Sequence, residues 1–493
     1  MIEKINSYVD NFLNKITMYR LVLYILTVYV LTAIGLSIFQ VIPHSTLDIL
    51  YTLAALIFFC GIVNFAFAAT LKIPTNVESF YITAFILALI ITPAKPGTSI
   101  FFLFVVSFVA MASKYVLAYK GKLFFNPAAL AVVITFFTIE QGASWWVGNA
   151  YMLPAVLIGG FLILRKIQRF DFVTSFLLTS VVMLTASNWT NAWSVLESYF
   201  IYGPILFFTS VMLTEPSTSP PNRKLRILEG VLVGLLFYPG IYIGNYTVTP
   251  EIALLVGNIF AFIVSPKGRF ILKLDSRQTI AKETYEFVFE SNRRIDFQPG
   301  QYLEYTIPQK GMDARGNRRY FTVASSPTED KIRLGIKFYE QPSTFKKYLT
   351  SLDSGQKIFA GQLAGDFTLP EEKSEKLAFI AGGIGITPFR SMIKYLMDKN
   401  EERDIVLFYL CKTESDVAYK EILEEARQIG VKTVYVIGAT LNAEKINIEA
   451  PDIIDRTIFI SGPHGMVEAF KKTLQDMGVS KNRIKIDFFP GYA

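Results

Sequence analysis

Cysteine and histidine are nearly absent: the 493 residues include two of each, Cys60 and Cys411, His44 and His464. Two cysteines far apart in the chain exclude a disulfide framework, a zinc site and a cysteine-ligated iron–sulfur cluster. A haem chain across a membrane needs axial ligands in pairs, usually histidine. His44 lies beyond the first long apolar run and His464 near the other end, so neither haem nor a metal site is expected. Any basic stripe interleaved with aromatic residues is missing as well. The net charge of +7 reflects basic residues in short loops between apolar runs, a topology signal, and nucleic acid is not an expected partner.

What the chain has in quantity is apolar residues, 52% of the total, unevenly spread. Residues 20–265 are a succession of apolar runs, and residues 270–493 have ordinary soluble composition. The apolar half far exceeds a signal peptide, and no cleavage-site pattern follows its first run. With about 20 apolar residues needed per crossing, the runs predict about ten spans, near 20–42, 47–69, 77–92, 98–118, 127–139, 150–164, 172–187, 199–214, 227–243 and 250–265. Alternate loops carry Lys72; Lys120 and Lys122; Arg165, Lys166 and Arg169; Arg223, Lys224 and Arg226; Lys267 and Arg269, and the N-terminus adds Lys4, Lys15 and Arg20. The opposite loops carry almost only Lys95. This asymmetry predicts a multi-pass protein of the cell membrane, with its N-terminus and its C-terminal half in the cytoplasm. A weak repeat at an offset of about 90 residues relates 81–87 to 172–178 and sets Asn126-Pro127 opposite Glu215-Pro216. Duplicated halves of this kind often hold a site at their interface. Ser144-Trp145-Trp146 reads as an interfacial aromatic anchor.

In the second half, residues 270–370 read as short strands with turn punctuation, an antiparallel β-barrel. Residues 375–493 alternate strand and helix, a doubly wound α/β fold. Four motifs follow in order: Phe297-Gln298-Pro299-Gly300-Gln301-Tyr302 before Arg319-Tyr320-Phe321-Thr322; Ala381-Gly382-Gly383-Ile384-Gly385-Ile386-Thr387-Pro388 closing a strand and opening a helix; Ser461-Gly462-Pro463; and Asp487-Phe488-Phe489-Pro490-Gly491-Tyr492. Together they resemble the ferredoxin–NADP reductase family. The resemblance implies FAD in a domain at 269–372 and NADPH or NADH in a domain at 373–493. Arg319 would neutralise the pyrophosphate, since its planar fork donates two parallel hydrogen bonds. Tyr320 and Phe321 would pack on the cofactor, with Phe321 against the ring system, and Thr322 would serve the reactive ring nitrogen. Ser343 and Thr344 open a helix whose free amides suit a phosphate. Gly382, Gly383 and Gly385 let backbone approach the dinucleotide, Thr387 caps the helix and Pro388 fits its first turn. Ser461, Gly462 and Pro463 stand where the family often has Cys-Gly-Pro beside the nicotinamide. Phe489 is expected against the flavin ring and Asp487 as a polar partner of the hydride path. The catalytic set is thus Thr322, Ser461, Asp487 and Phe489. No acid closes the strand before Cys411 to hold a free ribose diol, and Lys412 can pair with a 2′-phosphate, which leans toward NADPH and leaves NADH open.

The apolar half, assigned to 1–268, resembles the RnfD/NqrB family of flavin-bearing membrane subunits, at 79–83, Phe125-Asn126-Pro127-Ala128-Ala129-Leu130, Leu213-Thr214-Glu215-Pro216-Ser217-Thr218 and around Asn258. That family attaches FMN through the last threonine of a Ser/Thr-Gly-Ala-Thr motif. The corresponding stretch here is Tyr202-Gly203-Pro204-Ile205, and Ile205 has no hydroxyl. The resemblance therefore implies a non-covalent second flavin, FMN or riboflavin, with Thr83, Asn126, Thr214 and Asn258 as candidate contacts and Glu215 as a further polar group. The expected activity is an NAD(P)H-dependent flavin oxidoreductase. It would carry electrons through FAD and the second flavin across the lipid bilayer to an external acceptor: a flavin, a flavoprotein, a quinone or oxygen. Two other readings stay open, a flavin or small-molecule transporter coupled to cytoplasmic flavin reduction and a single-face NAD(P)H:quinone reductase.

Overall fold

The computed structural model describes residues 9–10, 12–13, 16–71, 77–119, 122–187, 189–238, 240–308, 316–338, 340 and 342–487. Phe489 and the loop lysines Lys4, Lys15, Lys72 and Lys120 lie outside the described residues. The described residues divide into two compact units, those up to residue 268 and those of 269–487.

The first unit is helical. Its helices are α1 (Met18–Ile38), α2 (Thr46–Leu71), α3 (Val77–Ile90), α4 (Ile100–Val116), α5 (Pro127–Ile139), α6 (Leu153–Ile167), α7 (Phe170–Ser187), α8 (Ala192–Phe200), α9 (Ile205–Phe207), α10 (Arg223–Leu236) and α11 (Pro250–Val264). The helix begun at α9 continues as a π-helix, Phe208–Leu213. Two small antiparallel hairpins pair β1 (Ala118–Tyr119) with β2 (Lys122–Leu123), and β3 (Tyr242–Ile243) with β4 (Tyr246–Thr247).

Among the described residues, only α1 and α2 are long and apolar enough to cross a membrane; a third candidate is α7 joined to the segment 189–200 across a 109° bend. The expectation of about ten spans, several of them short, is corrected by this count. The physical reason lies in polar and proline breaks. Asn126 caps α5 by accepting from Ala129 N, with Pro127 as the first helical residue. Thr249-Pro250 does the same for α11, and Asn222 caps α10. A 13-residue helix such as α5 is about 20 Å long at 1.5 Å per residue, shorter than a hydrocarbon core of about 30 Å.

Helices α7 and α10 pack at close range. A Cβ on Gly230 would lie 2.8 Å from the Phe172 carbonyl oxygen, and one on Gly234 would lie 2.9 Å from that of Phe176. Small residues four apart let two helix backbones meet. Arg226 and Asp171, 3.0 Å apart, tie the same pair of helices at one end.

The second unit holds two sheets. The first is antiparallel, built from β5 (Phe270–Ala281), β6 (Thr284–Ser291), β7 (Tyr302–Thr306), β8 (Arg318–Thr322), β9 (Ile332–Lys337) and β10 (Lys357–Ala364) in the order β8-β7-β10-β5-β6-β9. Ala324 N donates to Arg333 O at 2.9 Å just past the end of β8, which brings the two outer strands toward each other. Its core is Phe287, Phe289, Leu303, Tyr305, Leu334 and Phe345. Helix α12 (Thr344–Ser351) packs on it through Phe345 and Leu349.

The second sheet is parallel, with β11 (Leu377–Gly382), β12 (Ile405–Cys411), β13 (Val431–Ile437), β14 (Thr457–Ser461) and β15 (Ile484–Ile486) in the order β13-β12-β11-β14-β15. Helices α13 (Thr387–Asp398), α14 (Lys420–Glu425), α15 (Ala443–Glu449) and α16 (His464–Asp476) lie between its strands in sequence. Strand order reverses between β11 and β14, the switch point where such sheets bind ligands. A buried lock joins the two sheets. Arg390 on α13 pairs with Glu329 and donates to Ala324 O, and Ser391 Oγ donates to Ser325 O at 2.6 Å.

Candidate functional site

Strand alternation sorts the Arg-Tyr-Phe-Thr motif of β8 onto two faces. The Arg319 guanidinium stands 5.4 Å from the centre of the Phe345 ring. Phe321 packs against Phe345 and Tyr305, at ring distances of 5.9 and 6.0 Å. Phe345 lies in the first turn of α12, whose N-cap Ser343 accepts from Lys346 N. The basic side chain, the aromatic ring and the helix N-terminus with Ser343 and Thr344 therefore converge. This donor set fits a dinucleotide pyrophosphate, with Arg and free amides for the phosphates and an aromatic face beside them.

Tyr320 points the other way. Its hydroxyl lies 2.8 Å from Glu304 Oε2 and 3.2 Å from Gln362 Oε1, and it packs edge-on to Tyr302. The two-residue period of the strand thus sets Arg319 and Phe321 on one face of β8 and Tyr320 and Thr322 on the other. Thr322 closes the motif at 4% exposure.

At the switch point the glycines divide by role. A Cβ on Gly385 would lie 2.4 Å from Ser461 O, and one on Gly382 would lie 2.4 Å from Met466 Sδ. These two let the turn after β11 pack against the end of β14. Gly383 has φ +53° with nothing among the described residues within 4 Å of its Cβ position, so of the three it alone offers open backbone to a ligand. Gly462, at φ +156°, approaches Gly382 and Met466. Pro463 precedes α16. Thr387 Oγ1 donates back to Ile384 O at 3.2 Å, so its side chain closes the turn and does not cap the helix.

Ser461 Oγ donates to Asp487 Oδ2 at 3.0 Å. Burial pushes the Asp487 carboxyl up to about 7, against the lowering effect of the Ser461 hydrogen bond. Two sequence-predicted residues thus form one titrating pair at the carboxyl end of β14. Lys412 is exposed just past β12. The nearby acid Asp416 is already bound by Lys337 at 2.7 Å and by Thr413.

In the helical unit, Thr83, Asn126 and Thr214 line one cleft between α1, α3, α4, α5, α6 and the π-helix end. Asn258, on α11, stands behind it and accepts from Asn126 N at 2.8 Å. Asn126 Nδ2 donates to Glu215 Oε2 at 2.8 Å, and Ser217 Oγ donates to Glu215 Oε1 at 2.7 Å. Thr214 Oγ1 donates to Ser210 O within its own helix. Across the cleft, Lys114 Nζ donates to Ser79 O, Ser79 Oγ and Thr83 Oγ1 at 2.9, 2.9 and 2.7 Å. Lys114 escapes a reading of the sequence because a lysine near the end of an apolar run looks like a loop charge. Only the packing of α3 against α4 turns it inward. The cleft's walls are Ile82, Ile86, Ile163, Ile167 and Val211. Apolar walls with one polar end match a flat heteroaromatic ring that has one hydrogen-bonding edge.

Ser144-Trp145-Trp146 is corrected as a membrane anchor. Trp145 is 8% exposed and its indole donates to Glu251 Oε1 at 2.5 Å, while Trp146 donates to Ala88 O at 2.9 Å. Trp145 is buried in the helical unit, and Trp146 is half-buried beside His44. Ile205 is fully buried. Among the described residues, no group of three or more His, Cys, Asp or Glu side chains could hold a metal ion.

Residues 379–472 match the family described as "Oxidoreductase NAD-binding domain". The chain is 24% identical over 228 residues to the stachydrine N-demethylase reductase subunit Stc4 of Rhizobium meliloti, covering 43% of this chain and 64% of that one. It is 25% identical over 228 residues to the glycine betaine monooxygenase reductase subunit of Pseudomonas aeruginosa, covering 43% and 62%. It thus spans less than two thirds of these relatives. Among solved structures, the FAD/NAD-binding domain of nitric oxide dioxygenase from Vibrio cholerae aligns at 20% identity and a TM-score of 0.40, over 45% of this chain and 98% of that one. The second unit is a ferredoxin–NADP reductase-like FAD- and NAD-binding unit, and its chemistry is that of an NAD(P)H-dependent flavin oxidoreductase.

Proposed function

We propose that the chain is a membrane oxidoreductase that passes electrons from cytoplasmic NADH or NADPH through FAD to a second, non-covalent flavin in the helical unit and on to an acceptor outside. FAD supplies the conversion of a two-electron hydride into single electrons. Arg319 and the N-terminus of α12 hold its phosphates, Phe321 lies against its rings and Thr322 stands at the strand end beside them. Gly383 admits the nicotinamide dinucleotide. The Ser461–Asp487 pair holds a proton at that crevice and exchanges it near neutral pH.

The observation that carries the membrane step is the cleft itself. Residues far apart in sequence, Thr83, Asn126 and Thr214, line one apolar slot whose polar end also holds Lys114 and Glu215. Thr83, Asn126, Thr214 and Glu215 are positions of the RnfD/NqrB resemblance. A cationic lysine near the polar edge of a bound flavin favours its reduced, anionic form. Ile205 has no hydroxyl for a phosphoester, which favours non-covalent FMN or riboflavin. The basic loops favour a multi-pass protein with the N-terminus and the redox unit in the cytoplasm.

The test is electron delivery in sealed liposomes that carry the full chain, with NAD(P)H outside and a membrane-impermeant acceptor trapped inside. Reduction of the trapped acceptor supports the reading. Reduction of quinone alone, with the trapped acceptor untouched, would replace it with a single-face reductase; movement of flavin into the lumen would replace it with a transporter.

A further inference from the structure

Glu229, in the second turn of α10, is 0% exposed, and among the described residues neither of its carboxyl oxygens has a hydrogen-bond partner. A buried acid without a donor is costly in its charged form, by several kcal/mol in order of magnitude. Intramembrane acids of this kind mark proton or ion routes. The groups around it give a direction. A Cβ on Gly257 would lie 3.2 Å from Glu229 Oε1, so the carboxyl rests against α11 where a glycine makes room for it. The next residue, Asn258, accepts from Asn126 N, and Asn126 donates to Glu215 at the cleft. On the other side, the charged groups that face Glu229 are Arg169, just ahead of α7, and Lys122 on β2. Both donate to Ser219, which itself bonds Glu215 O at 2.9 Å. Lys267 stands behind Lys122. From α7, Asp171 is held by Arg226, and α11 presents the uncharged Gly257 and Asn258.

We propose that Glu229 is a proton-exchange site, taking protons past the basic rim of Lys122 and Arg169 and passing them toward the Glu215–Asn126 end of the cleft. The delivery half of this statement rests on the reading of the cleft as a carrier site; the exchange half does not. The balance is NAD(P)H + H⁺ + carrier → NAD(P)⁺ + carrier-H₂. The hydride would bring both electrons and one proton to FAD, which passes the electrons on singly and releases that proton to water. The two protons of carrier-H₂ are therefore taken up at the cleft in two steps, each from the Glu229 carboxylic acid, which becomes a carboxylate between Lys122 and Arg169 and is reprotonated from the aqueous side before the next.

Full-length protein in lipid nanodiscs is titrated from about pH 5 to about pH 9 by infrared difference spectroscopy, without NAD(P)H. The wild type is expected to show a carboxylic C=O band that Glu229→Gln removes and Glu229→Asp shifts. A single symmetric peak of each variant in detergent gel filtration, with an unchanged helical circular-dichroism melt, reports that the helical unit is folded, and ferricyanide reduction reports the same of the second unit. A band unchanged in Glu229→Gln overturns the proposal. In a second arm, reduction of a lipid-soluble quinone by NAD(P)H is expected to slow at least about tenfold in Glu229→Gln, with ferricyanide reduction unchanged. A titrating Glu229 with unaffected quinone reduction overturns delivery to the cleft. Flavin analysis that finds FAD alone overturns the carrier reading while leaving the infrared result standing.

Discussion

Asn126 Nδ2 donates to Glu215 Oε2 at 2.8 Å, so two residues that the weak sequence repeat sets opposite each other meet in the structure. Each precedes a proline, Pro127 or Pro216, and each stands at a helix end that lines the same cleft. Asn126 also caps α5. Asn126→Ala removes the cap, at about 1 kcal/mol, and leaves Glu215 without one of its two side-chain donors. The variant is expected to lose the flavin of the helical unit on purification and to keep its FAD. Chromatography of extracted flavins reads both, and full retention of two flavins would show that this pair does not hold the second one.

The Ser461–Asp487 pair sets a pH dependence. The folded carboxyl titrates at about 7, above its ordinary value of 3.8, because burial disfavours its charged form. The folded state therefore holds the extra proton between those two values, and Asp487 makes folding less favourable as pH rises through that window. Asp487→Asn is expected to remove that slope from thermal unfolding curves. It is also expected to remove an inflection near pH 7 from the rate of FAD reduction by NAD(P)H in stopped flow. An inflection that survives the substitution would assign it to another group.

The glycines of the turn after β11 are expected to separate in their effects. Gly385→Ala drives a Cβ to 2.4 Å from the Ser461 carbonyl oxygen, a backbone atom that cannot swing aside. It is expected to lower the melting temperature and FAD reduction together. Gly383→Ala meets open space and costs only the left-handed backbone, about 1 kcal/mol. It is expected to raise the KM for NAD(P)H with little change in melting temperature. Equal melting temperatures for the two variants would contradict this division.

Arg319→Ala removes a cation that converges with Phe321 and the N-terminus of α12. A charged hydrogen bond to phosphate contributes about 1.5–3 kcal/mol, so FAD affinity is expected to fall roughly 10- to 150-fold. Equilibrium titration of apoprotein with FAD measures it. Arg319→Lys keeps the charge but not the fork, and an intermediate affinity is expected.

Much of this was legible in the sequence because it rests on local pattern. The strand, Gly-rich turn and helix around 377–398 follow from a short apolar run, glycines and Thr387-Pro388, and the structure places β11 and α13 there. The apolar runs of the first half gave helices in their expected places, but not their lengths, since a hydropathy window runs through Asn126-Pro127 and Thr249-Pro250 while a helix stops there. Side-chain direction was the main thing hidden. Tyr320 beside Phe321, Trp145 in a loop, Lys114 at the end of a run and Glu229 among apolar residues look equivalent to their neighbours in sequence. Their roles depend on which face packs against a distant element. Two short elements, helix α15 before β14 and the three-residue strand β15 after α16, were hidden as well, because each carries too little periodicity to be seen before the sheet is assembled.

The central claim is that one chain holds two flavins, one in each unit. Flavins extracted with acid from purified full-length protein measure it directly. The account predicts one FAD and one further acid-releasable flavin, FMN or riboflavin, per chain, the second lost in Asn126→Ala. One FAD and nothing else would contradict it, and a second flavin that stays with the precipitated protein would contradict its non-covalent attachment.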